Sequence, residues 1–201
     1  MNKKVKRTII IALSGADGSG KTTQSRRLVD LLRQRYGKDE VAYNHGNRPM
    51  FAPDKKGVAK NHWQGRRFGF FISLAILMKN VIKIRLYYWP QRRARFIIFD
   101  RYVDDAIAKF RGYYRAVPWL ESIARSFLPT AALIIWLDVP PAESQKRDQE
   151  FTLADQQKKW ETFRDVFDST VSADRLRIDG SGSAESVGQQ LESTMRNRGW
   201  L

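Results

Sequence analysis

The stretch that decides the fold is residues 15–22, Gly-Ala-Asp-Gly-Ser-Gly-Lys-Thr. It matches the pattern G-x-x-x-x-G-K-[ST], in which backbone N–H groups cradle phosphate oxygens. The side chain of Lys21 can reach the β- and γ-phosphates of a nucleotide, and the hydroxyl of Thr22 can ligate Mg²⁺. A helix that begins at such a loop adds its positive dipole end. We therefore predict a phosphate-binding loop here, in preference to a flexible glycine turn with an exposed lysine.

The segments on either side of this loop have the patterns that the motif requires. Residues 9–13, Ile-Ile-Ile-Ala-Leu, form an apolar run typical of a buried parallel strand. Leu28, Leu31 and Leu32 follow with helical spacing. The basic start and apolar run superficially resemble a signal peptide. Because cleavage there would destroy the loop, we interpret the run as the first strand.

The composition is that of an ordinary globular protein. The chain has 201 residues, of which 42% are hydrophobic and 28% charged, and we predict a single domain over residues 1–201. It contains no cysteine, which excludes a disulfide framework and a cysteine-based metal site. This agrees with a reducing, cytoplasmic location. No run of residues is both long and apolar enough to predict a transmembrane segment.

The net charge of +15 is large and predicts attraction to anions. Such a surplus makes nucleic-acid binding a candidate function. However, lysine and arginine are spread along the whole chain, without a dense tract or a known nucleic-acid motif. A solvated basic surface is the simpler interpretation, and we do not expect a nucleic-acid partner.

Predicted strands alternate with predicted helices, which indicates an α/β fold with a parallel sheet and helices on both faces. Besides the first strand, strands are predicted at residues 40–44 (weak), 95–100, 131–139 and 175–179. A loop is predicted from residue 45 to about residue 61. Polar residues 142–159 lead into a predicted helix at 160–167, and residues 184–196 form a last helix.

The most apolar region, residues 68–88, is predicted to be a long helix. Its charged residues make it too polar for a membrane span. Six of its apolar side chains fall on one helical stripe, namely Phe70, Leu74, Leu77, Val81, Ile84 and Tyr88. We expect this stripe to pack on the core or on a second subunit, giving a possible homodimer. Contact with a membrane surface is the remaining alternative.

Three segments together resemble the thymidylate kinase family. They are residues 15–24, the triplet Asp100-Arg101-Tyr102, and residues 137–141, Leu-Asp-Val-Pro-Pro, with Arg147 beyond. The resemblance covers nearly the whole chain. It implies a P-loop nucleoside-monophosphate-kinase fold with a five-stranded parallel sheet and a short mobile LID near residues 142–160. It also implies transfer of the γ-phosphoryl group from Mg·ATP to a nucleoside monophosphate. The acceptor that the resemblance favours is dTMP or a molecule like it.

The chemistry of the residues agrees with this resemblance. Phosphoryl transfer needs positioning and charge neutralisation. Asp100 follows a buried strand, where it could hold Mg²⁺ through water, and Arg101 could clamp the acceptor phosphate. The alternative is that Asp100 caps a helix while Arg101 forms a surface ion pair. We predict a catalytic set of Lys21, Asp100, Arg101 and Arg147, and Mg²⁺ at Thr22 and Asp100.

The resemblance also implies which residues bind the two substrates. It places Arg147 near the ATP base or phosphates and Gly180 against the adenine. Because the P-loop has no arginine, the LID would supply any further cation, and Lys146 and Arg147 are the nearest candidates. The implied ATP-binding residues are Gly15, Asp17, Gly18, Ser19, Gly20, Lys21, Thr22, Thr23, Arg147 and Gly180, and the predicted acceptor-binding residues are Asp17, Arg48, Arg66, Arg101 and Asp105.

The acceptor side departs from the family's usual pattern. Residues 44–49, Asn-His-Gly-Asn-Arg-Pro, replace an Arg-Glu-Pro motif, and Asp105, Lys109 and Phe110 stand where the thymine pocket is expected. Asp105 should lie one helical turn beyond Arg101, either lining the acceptor pocket or serving only as a solvated residue or structural partner of Arg101. In the first case dTMP would be a poor substrate. Another small molecule, either a nucleoside or a sugar phosphate, is therefore an alternative acceptor.

Two functions of other classes stay open. One is a basic polyanion-binding protein with a vestigial or regulatory P-loop. The other is an ATPase or GTPase switch, which is weaker because the chain lacks an Asn/Thr-Lys-x-Asp base-reading motif. His45 and His62 show no metal-ligand spacing, so we expect no histidine metal site.

Overall fold

The computed structural model describes residues 8–45, 69–170 and 174–201. Within them lies a five-stranded, wholly parallel sheet with the strand order β2-β3-β1-β4-β5. The strands are β1 (Ile9–Ser14), β2 (Val41–His45), β3 (Phe96–Asp100), β4 (Leu133–Asp138) and β5 (Arg175–Asp179). The predicted α/β fold with a five-stranded parallel sheet is confirmed.

Seven α-helices surround the sheet in the described residues. They are α1 (Lys21–Tyr36), α2 (Phe70–Gln91), α3 (Val103–Tyr113), α4 (Pro118–Ser126), α5 (Pro141–Arg147), α6 (Leu153–Asp168) and α7 (Ala184–Asn197). A short 3₁₀ turn over Lys38–Glu40 precedes β2. Helices α2, α3, α4 and α6 cover one face, and α1 and α7 cover the other. The prediction of helices on both faces is therefore confirmed.

The sequences of the strands explain their places in the sheet. All five residues of β3 are buried, as are nearly all residues of β1 and β4, because these strands are covered on both faces. Strand β5 at the edge is mostly part-exposed and carries Arg175 and Arg177. The register pairs Leu13 with Asp100 and His45 with Asp100, so the carboxyl ends of β1, β2 and β3 meet at one edge.

Helix α6 begins at Leu153, well before the predicted start at residue 160. Thr152 and Asp155 form a capping box that starts the helix, with the Asp155 amide donating to Oγ1 of Thr152 over 3.2 Å. The buried side of its first two turns consists of Gln156 and Lys159. Because these residues are polar, the hydrophobic pattern does not show that this segment is helical.

Helix α2 agrees with the predicted helix to within three residues at either end. Its stripe packs on the core through the buried side chains of Leu77, Val81 and Ile84. The opposite side of α2 exposes large apolar side chains in the part of the chain that the structure describes, namely Phe71, Ile72, Ile82, Leu86 and Trp89. None of the helices in the described residues has the length and hydropathy needed to cross a membrane.

Candidate active site

The loop between β1 and α1 has a backbone that only glycine adopts easily. Gly15, Gly18 and Gly20 have φ values of +147°, +77° and +84°. A Cβ on Gly15 would lie 2.8 Å from the carbonyl oxygen of Leu137, and one on Gly18 would lie 2.7 Å from that of Ser144. The loop therefore packs closely against β4 and α5. Its positive φ values favour glycine, and the short distances leave no room for a Cβ on Gly15 or Gly18.

Lys21 is the first residue of α1, and its side chain is buried behind the loop. Its Nζ donates hydrogen bonds to the carbonyl oxygen of Ala16 and, over 3.1 Å, to Oγ of Ser19. Burial lowers the pKa of Lys21 to about 8, and the positive charge of Arg101 acts in the same direction. An anion at the loop would favour the charged ammonium, so the site is electrostatically prepared for a phosphate.

Asp100 ends β3 and is completely buried. Its Oδ2 accepts a hydrogen bond from Oγ1 of Thr22 over 2.6 Å and lies 2.6 Å from Nδ1 of His45. The hydroxyl of Tyr43 donates to the same oxygen over 3.4 Å. The other oxygen, Oδ1, is buried without a hydrogen-bond partner in the described structure. Since the N-cap of α3 is Tyr102, the alternative that Asp100 caps this helix is wrong.

The oxygen atoms of Thr22 and Asp100 are suitable ligands for Mg²⁺. This ion prefers one or two protein oxygen ligands and completes its shell with water and substrate phosphates. The Thr22 hydroxyl and the unpartnered Oδ1 of Asp100 supply such a set. In the described ranges, no group of three or more His, Cys, Asp and Glu residues is placed to hold a metal ion. The oxygen atoms of Thr22 and Asp100 fit a magnesium ion whose other ligands are water and substrate phosphates.

Asp17 connects three parts of the site. Its Oδ1 accepts from Nη2 of Arg101 over 2.7 Å, and its Oδ2 accepts from Nζ of Lys159 over 3.1 Å. Its backbone carbonyl accepts from the hydroxyl of Ser144 in α5. Burial alone would raise the pKa of Asp17, but Arg101, Lys21 and Lys159 hold it well below its usual range. Asp17 is therefore ionised and joins the P-loop to β3, α5 and α6.

Arg101 follows β3 in a left-handed conformation with φ +79°, the one positive φ among the described non-glycine residues. Its amide donates to the carbonyl of Leu13, which fixes this conformation. A strained backbone held in this way is common at functional sites. Its guanidinium is turned toward Asp17 and lies 3.7 Å from Oδ1 of Asp105.

Asp105 has both a structural and an electrostatic place in the site. Its Oδ2 accepts from the amide of Tyr102 over 3.3 Å and so caps α3, and the residue is buried. The alternative that it is a solvated helix residue is wrong, whereas the predicted proximity to Arg101 is observed. Burial raises the pKa of Asp105 to about 6, although Arg101 and Lys21 act in the opposite direction.

Replacement of Asp105 by asparagine should change how stability depends on pH. The folded-state pKa lies above the unfolded value of 3.8, so ionisation of Asp105 destabilises the wild-type protein as the pH rises through this interval. Relative to wild type, Asp105→Asn should gain on the order of 1–3 kcal/mol in unfolding free energy between pH 4 and pH 8. Denaturant titrations at several pH values would measure this. Asp155→Asn, at the equivalent capping position of α6, is the matched control. If the difference in unfolding free energy between Asp105→Asn and wild type did not depend on pH, the expectation would be wrong.

A cavity of about 240 Å³ opens beside these groups. Three predicted acceptor-binding residues, Asp17, Arg101 and Asp105, line it together with Lys159. Arg48, Arg66 and His62 lie outside the described residues. The full set of described lining residues is Asp17, Asn44, Asn80, Lys83, Ile84, Tyr87, Phe99, Arg101, Tyr102, Asp105, Ala106, Lys109, Phe151, Lys159 and Phe163.

A second cavity, of about 340 Å³, lies on the other side of the loop. The guanidinium of Arg147 donates over 2.8 Å to the carbonyls of Gly180 and Ser181, so α5 is bound to the loop after β5. Lys146, the other LID candidate, instead faces solvent and pairs with Glu143. The predicted ATP-binding residues that line this cavity are Gly18, Ser19, Gly20, Thr23, Arg147 and Gly180.

Two residues of the site, His45 and Lys159, were not predicted from the sequence. His45 reaches Asp100 because β2 and β3 pair in parallel, a relation between residues 55 positions apart in the chain. Lys159 reaches Asp17 because α6 folds over the loop. The sequence holds one local indication that Lys159 has a special role. Lys159 shares the buried side of α6 with Phe163 and Val166, where an apolar residue is expected.

Comparisons with known proteins agree with this geometry. The family model for thymidylate kinase matches residues 13–191. The chain is 30% identical over 131 residues to a probable thymidylate kinase of Metallosphaera sedula, a match that covers 65% of this chain and 61% of that protein. It is 25% identical over 193 residues to the thymidylate kinase of Xanthomonas campestris pv. campestris, covering 93% of this chain and 82% of the other. The crystal structure of thymidylate kinase from Ehrlichia chaffeensis superposes with a TM-score of 0.61 at 20% identity, covering 94% and 98% of the two chains.

The fold, the loop and these matches together define an enzyme of the nucleoside monophosphate kinase class. Within that class, the chain belongs to the thymidylate kinase family.

Proposed function

We propose that the protein transfers the γ-phosphoryl group of ATP to a nucleoside monophosphate that resembles dTMP. The observation that carries this proposal is the position of the P-loop between two cavities. Gly18, Ser19 and Gly20 line one cavity, and Asp17 lines the other with Arg101. A nucleotide in the cavity beside Gly18, Ser19 and Gly20 and an acceptor in the cavity beside Arg101 would meet at the P-loop. The names of the relatives, all thymidylate kinases, support dTMP as the reference acceptor.

The residues of the chain would share the work of positioning and charge neutralisation. The P-loop amides and Lys21 would hold the β- and γ-phosphates, since phosphoryl transfer depends mainly on such contacts. Mg²⁺, held by Thr22 and through water by Asp100, would neutralise charge on the phosphates of bound ATP. Arg101 would orient the acceptor phosphate, and Asp17 would hold its guanidinium while facing the acceptor's sugar.

We also propose that residues 142–160 act as a LID within one domain spanning residues 1–201. Two contacts support this proposal. Oγ of Ser144 donates to the Asp17 carbonyl, and Nζ of Lys159 contacts the Asp17 carboxylate. A segment that contacts the loop so directly would exclude water when both substrates are bound. Because Lys146 faces solvent, Arg147 and Lys159 are the LID cations nearest the two cavities. The absence of cysteine supports a cytoplasmic location for this activity.

The alternative function, binding of polyanions, rests on the net charge of +15. Binding measurements can distinguish it from the kinase function. A kinase should bind Mg·ATP saturably, with modest weakening by salt, and should not prefer long polyanions. A polyanion-binding protein should bind single-stranded DNA with an affinity that falls steeply with salt, because binding releases condensed counterions. Parallel titrations with a fluorescent ATP analogue and a labelled oligonucleotide would distinguish them. Tight, salt-sensitive oligonucleotide binding without ATP binding would overturn the proposal.

We propose a homodimer through α2. Its outward side presents Phe71, Ile82, Leu86 and Trp89, a larger apolar surface than isolated exposed residues usually give. Replacing Ile82 and Leu86 together by glutamate should convert a dimer to a monomer. Dimerisation of this variant would bury several glutamates of like charge in an apolar contact. Light scattering after gel filtration would measure the mass. Gln190→Glu on the exposed side of α7 is the control, and a wild-type mass that stays monomeric at all concentrations would contradict the proposal.

A further inference from the structure

The buried carboxylate of Asp100 is hydrogen-bonded through only one of its two oxygens. Its Oδ2 accepts from Oγ1 of Thr22 over 2.6 Å and from the hydroxyl of Tyr43 over 3.4 Å, and it lies 2.6 Å from Nδ1 of His45. Its Oδ1 has no hydrogen-bond partner among the described residues, although the side chain is completely buried. Because buried polar atoms are nearly always paired, this uneven use of the two oxygens indicates that Oδ1 is kept for a ligand.

The contact between His45 and Asp100 is a hydrogen bond that the imidazole ring donates. The Thr22 hydroxyl already donates to Oδ2, so this oxygen is an acceptor, and we assign the proton of the second bond to Nδ1 of His45. The 2.6 Å distance is short, as expected when the acceptor is ionised. The bond from Tyr43 is long, 3.4 Å, and therefore weak by comparison. Thr22 and His45 are thus the two side chains that hold Oδ2.

These two side chains come from different elements of the fold. Thr22 lies in the first turn of α1, whereas His45 is the last residue of β2 and the register partner of Asp100 in β3. The side chain of His45 is 25% exposed and that of Asp100 is fully buried, so the ring helps to cover the carboxylate. A residue on a paired strand is held more precisely than one on a loop. The sheet therefore fixes the position from which His45 donates.

A hydrogen bond from His45 limits how the carboxylate of Asp100 can turn. The χ2 torsion of an aspartate is broad and roughly two-fold, so its two oxygens can exchange places unless one of them is held. With Oδ2 held by two donors, Oδ1 is the oxygen left for a water molecule of a metal ion. The Thr22 hydroxyl can donate its proton to Oδ2 and still offer a lone pair to the same ion. Polar groups that orient a metal-binding carboxylate typically change the metal affinity by about 10- to 100-fold.

We propose that His45 is a positioning residue for Mg²⁺: by donating from Nδ1 to Oδ2 of Asp100, it keeps Oδ1 available to the metal ion. The inference rests on the proposed function, because it assumes that Mg²⁺ is bound with ATP at Thr22 and Asp100. It adds to that function a residue that lies outside the P-loop and outside the Asp100-Arg101-Tyr102 triplet. A bond that only joins β2 to β3 is the alternative, and it would stabilise the fold without changing metal binding.

Calorimetric titration with a non-hydrolysable ATP analogue, in which an imido group joins the β- and γ-phosphates, tests this inference. Each protein is titrated once with Mg²⁺ and once with EDTA, and the ratio of the two affinities gives the contribution of the metal. His45→Leu removes the donor at similar volume. His45→Asn is the matched control, because its amide N–H can take the place of the Nδ1 donor. His45→Leu should lower the contribution of Mg²⁺ about tenfold or more, whereas His45→Asn should keep it within about threefold of wild type. Binding in EDTA should be the same for all three proteins.

An unchanged contribution of Mg²⁺ in His45→Leu would overturn the inference. Equal losses in His45→Leu and His45→Asn would also overturn it, since loss of the ring rather than of the donor would then be the cause. If His45→Leu does not fold, the wild-type protein decides. Its long-range ¹H–¹⁵N NMR spectra, assigned with His62→Gln, should show a proton on Nδ1 of His45, and an Nδ1 without a proton would overturn the inference.

γ-Phosphoryl transfer by the wild-type protein is measured on the same preparation, which separates the inference from the proposed function. If transfer occurs and the contribution of Mg²⁺ does not depend on His45, the inference fails and the kinase function stands. If the wild-type protein neither binds the analogue nor transfers a phosphoryl group, the proposed function itself fails.

Discussion

Replacement of Lys21 by methionine should lower γ-phosphoryl transfer by about a thousandfold, since one preorganised charge on the reacting group typically contributes this much. In the described structure Nζ of Lys21 is bound only within its own loop, to Ala16 and Ser19. These contacts can be exchanged for phosphate oxygens without a change of fold. Because burial already penalises the charged lysine, methionine should not destabilise the protein.

The measurement is the initial rate of ADP and phosphorylated acceptor formation, with circular dichroism to show that the fold is intact. Lys38→Met, at an exposed position of the 3₁₀ turn before β2, is the control for loss of one positive charge. Its rate should match that of wild type. An unchanged rate in Lys21→Met would show that the loop does not serve phosphoryl transfer.

Asp100→Asn should have the second largest effect, a loss of about a hundredfold or more at limiting Mg²⁺. Asparagine has nearly the same shape and can still accept the hydrogen bond from Thr22. It lacks the negative charge that Oδ1 of Asp100 offers to a cation or its water. Higher Mg²⁺ should therefore restore part of the activity, and a Mg²⁺ titration of the rate would show a shifted midpoint.

Asp30→Asn, on the exposed side of α1, is the matched control for the loss of one carboxylate. It should leave both the rate and the Mg²⁺ midpoint unchanged. If Asp100→Asn lowered the rate equally at all Mg²⁺ concentrations, Asp100 would act through Thr22, His45 or the loop, and its assignment to the metal would be wrong.

The sequence predicts the sheet and the loop because their determinants are local. Four fixed positions between Gly15 and Thr22 define the loop, and the uninterrupted apolar runs of β1, β3 and β4 are typical of central parallel strands. The helices of both faces follow from the alternation of patterns. In each of these elements, a few residues that are neighbours in the sequence are enough to predict the structure.

The rest of the site depends on contacts between distant segments. Lys159 meets Asp17 across 142 residues, and no periodicity indicates that the first turns of α6 cover the loop. His45 lies beside Asp100 only because β2 neighbours β3 in the sheet. The cap that Asp105 provides for α3 depends on the left-handed turn at Arg101, which the sequence does not reveal because such a backbone is rare for arginine.

The most direct test of the account is transfer of label from [γ-³²P]ATP to a panel of acceptors. The panel contains nucleoside monophosphates, nucleosides and sugar phosphates, each incubated with Mg²⁺ and either wild-type protein or Lys21→Met. If the protein is a kinase of this kind, at least one phosphorylated acceptor should be labelled with wild-type protein, and its labelling should fall about a thousandfold with the variant. Label released only as inorganic phosphate, at the same rate with and without any acceptor, would contradict it.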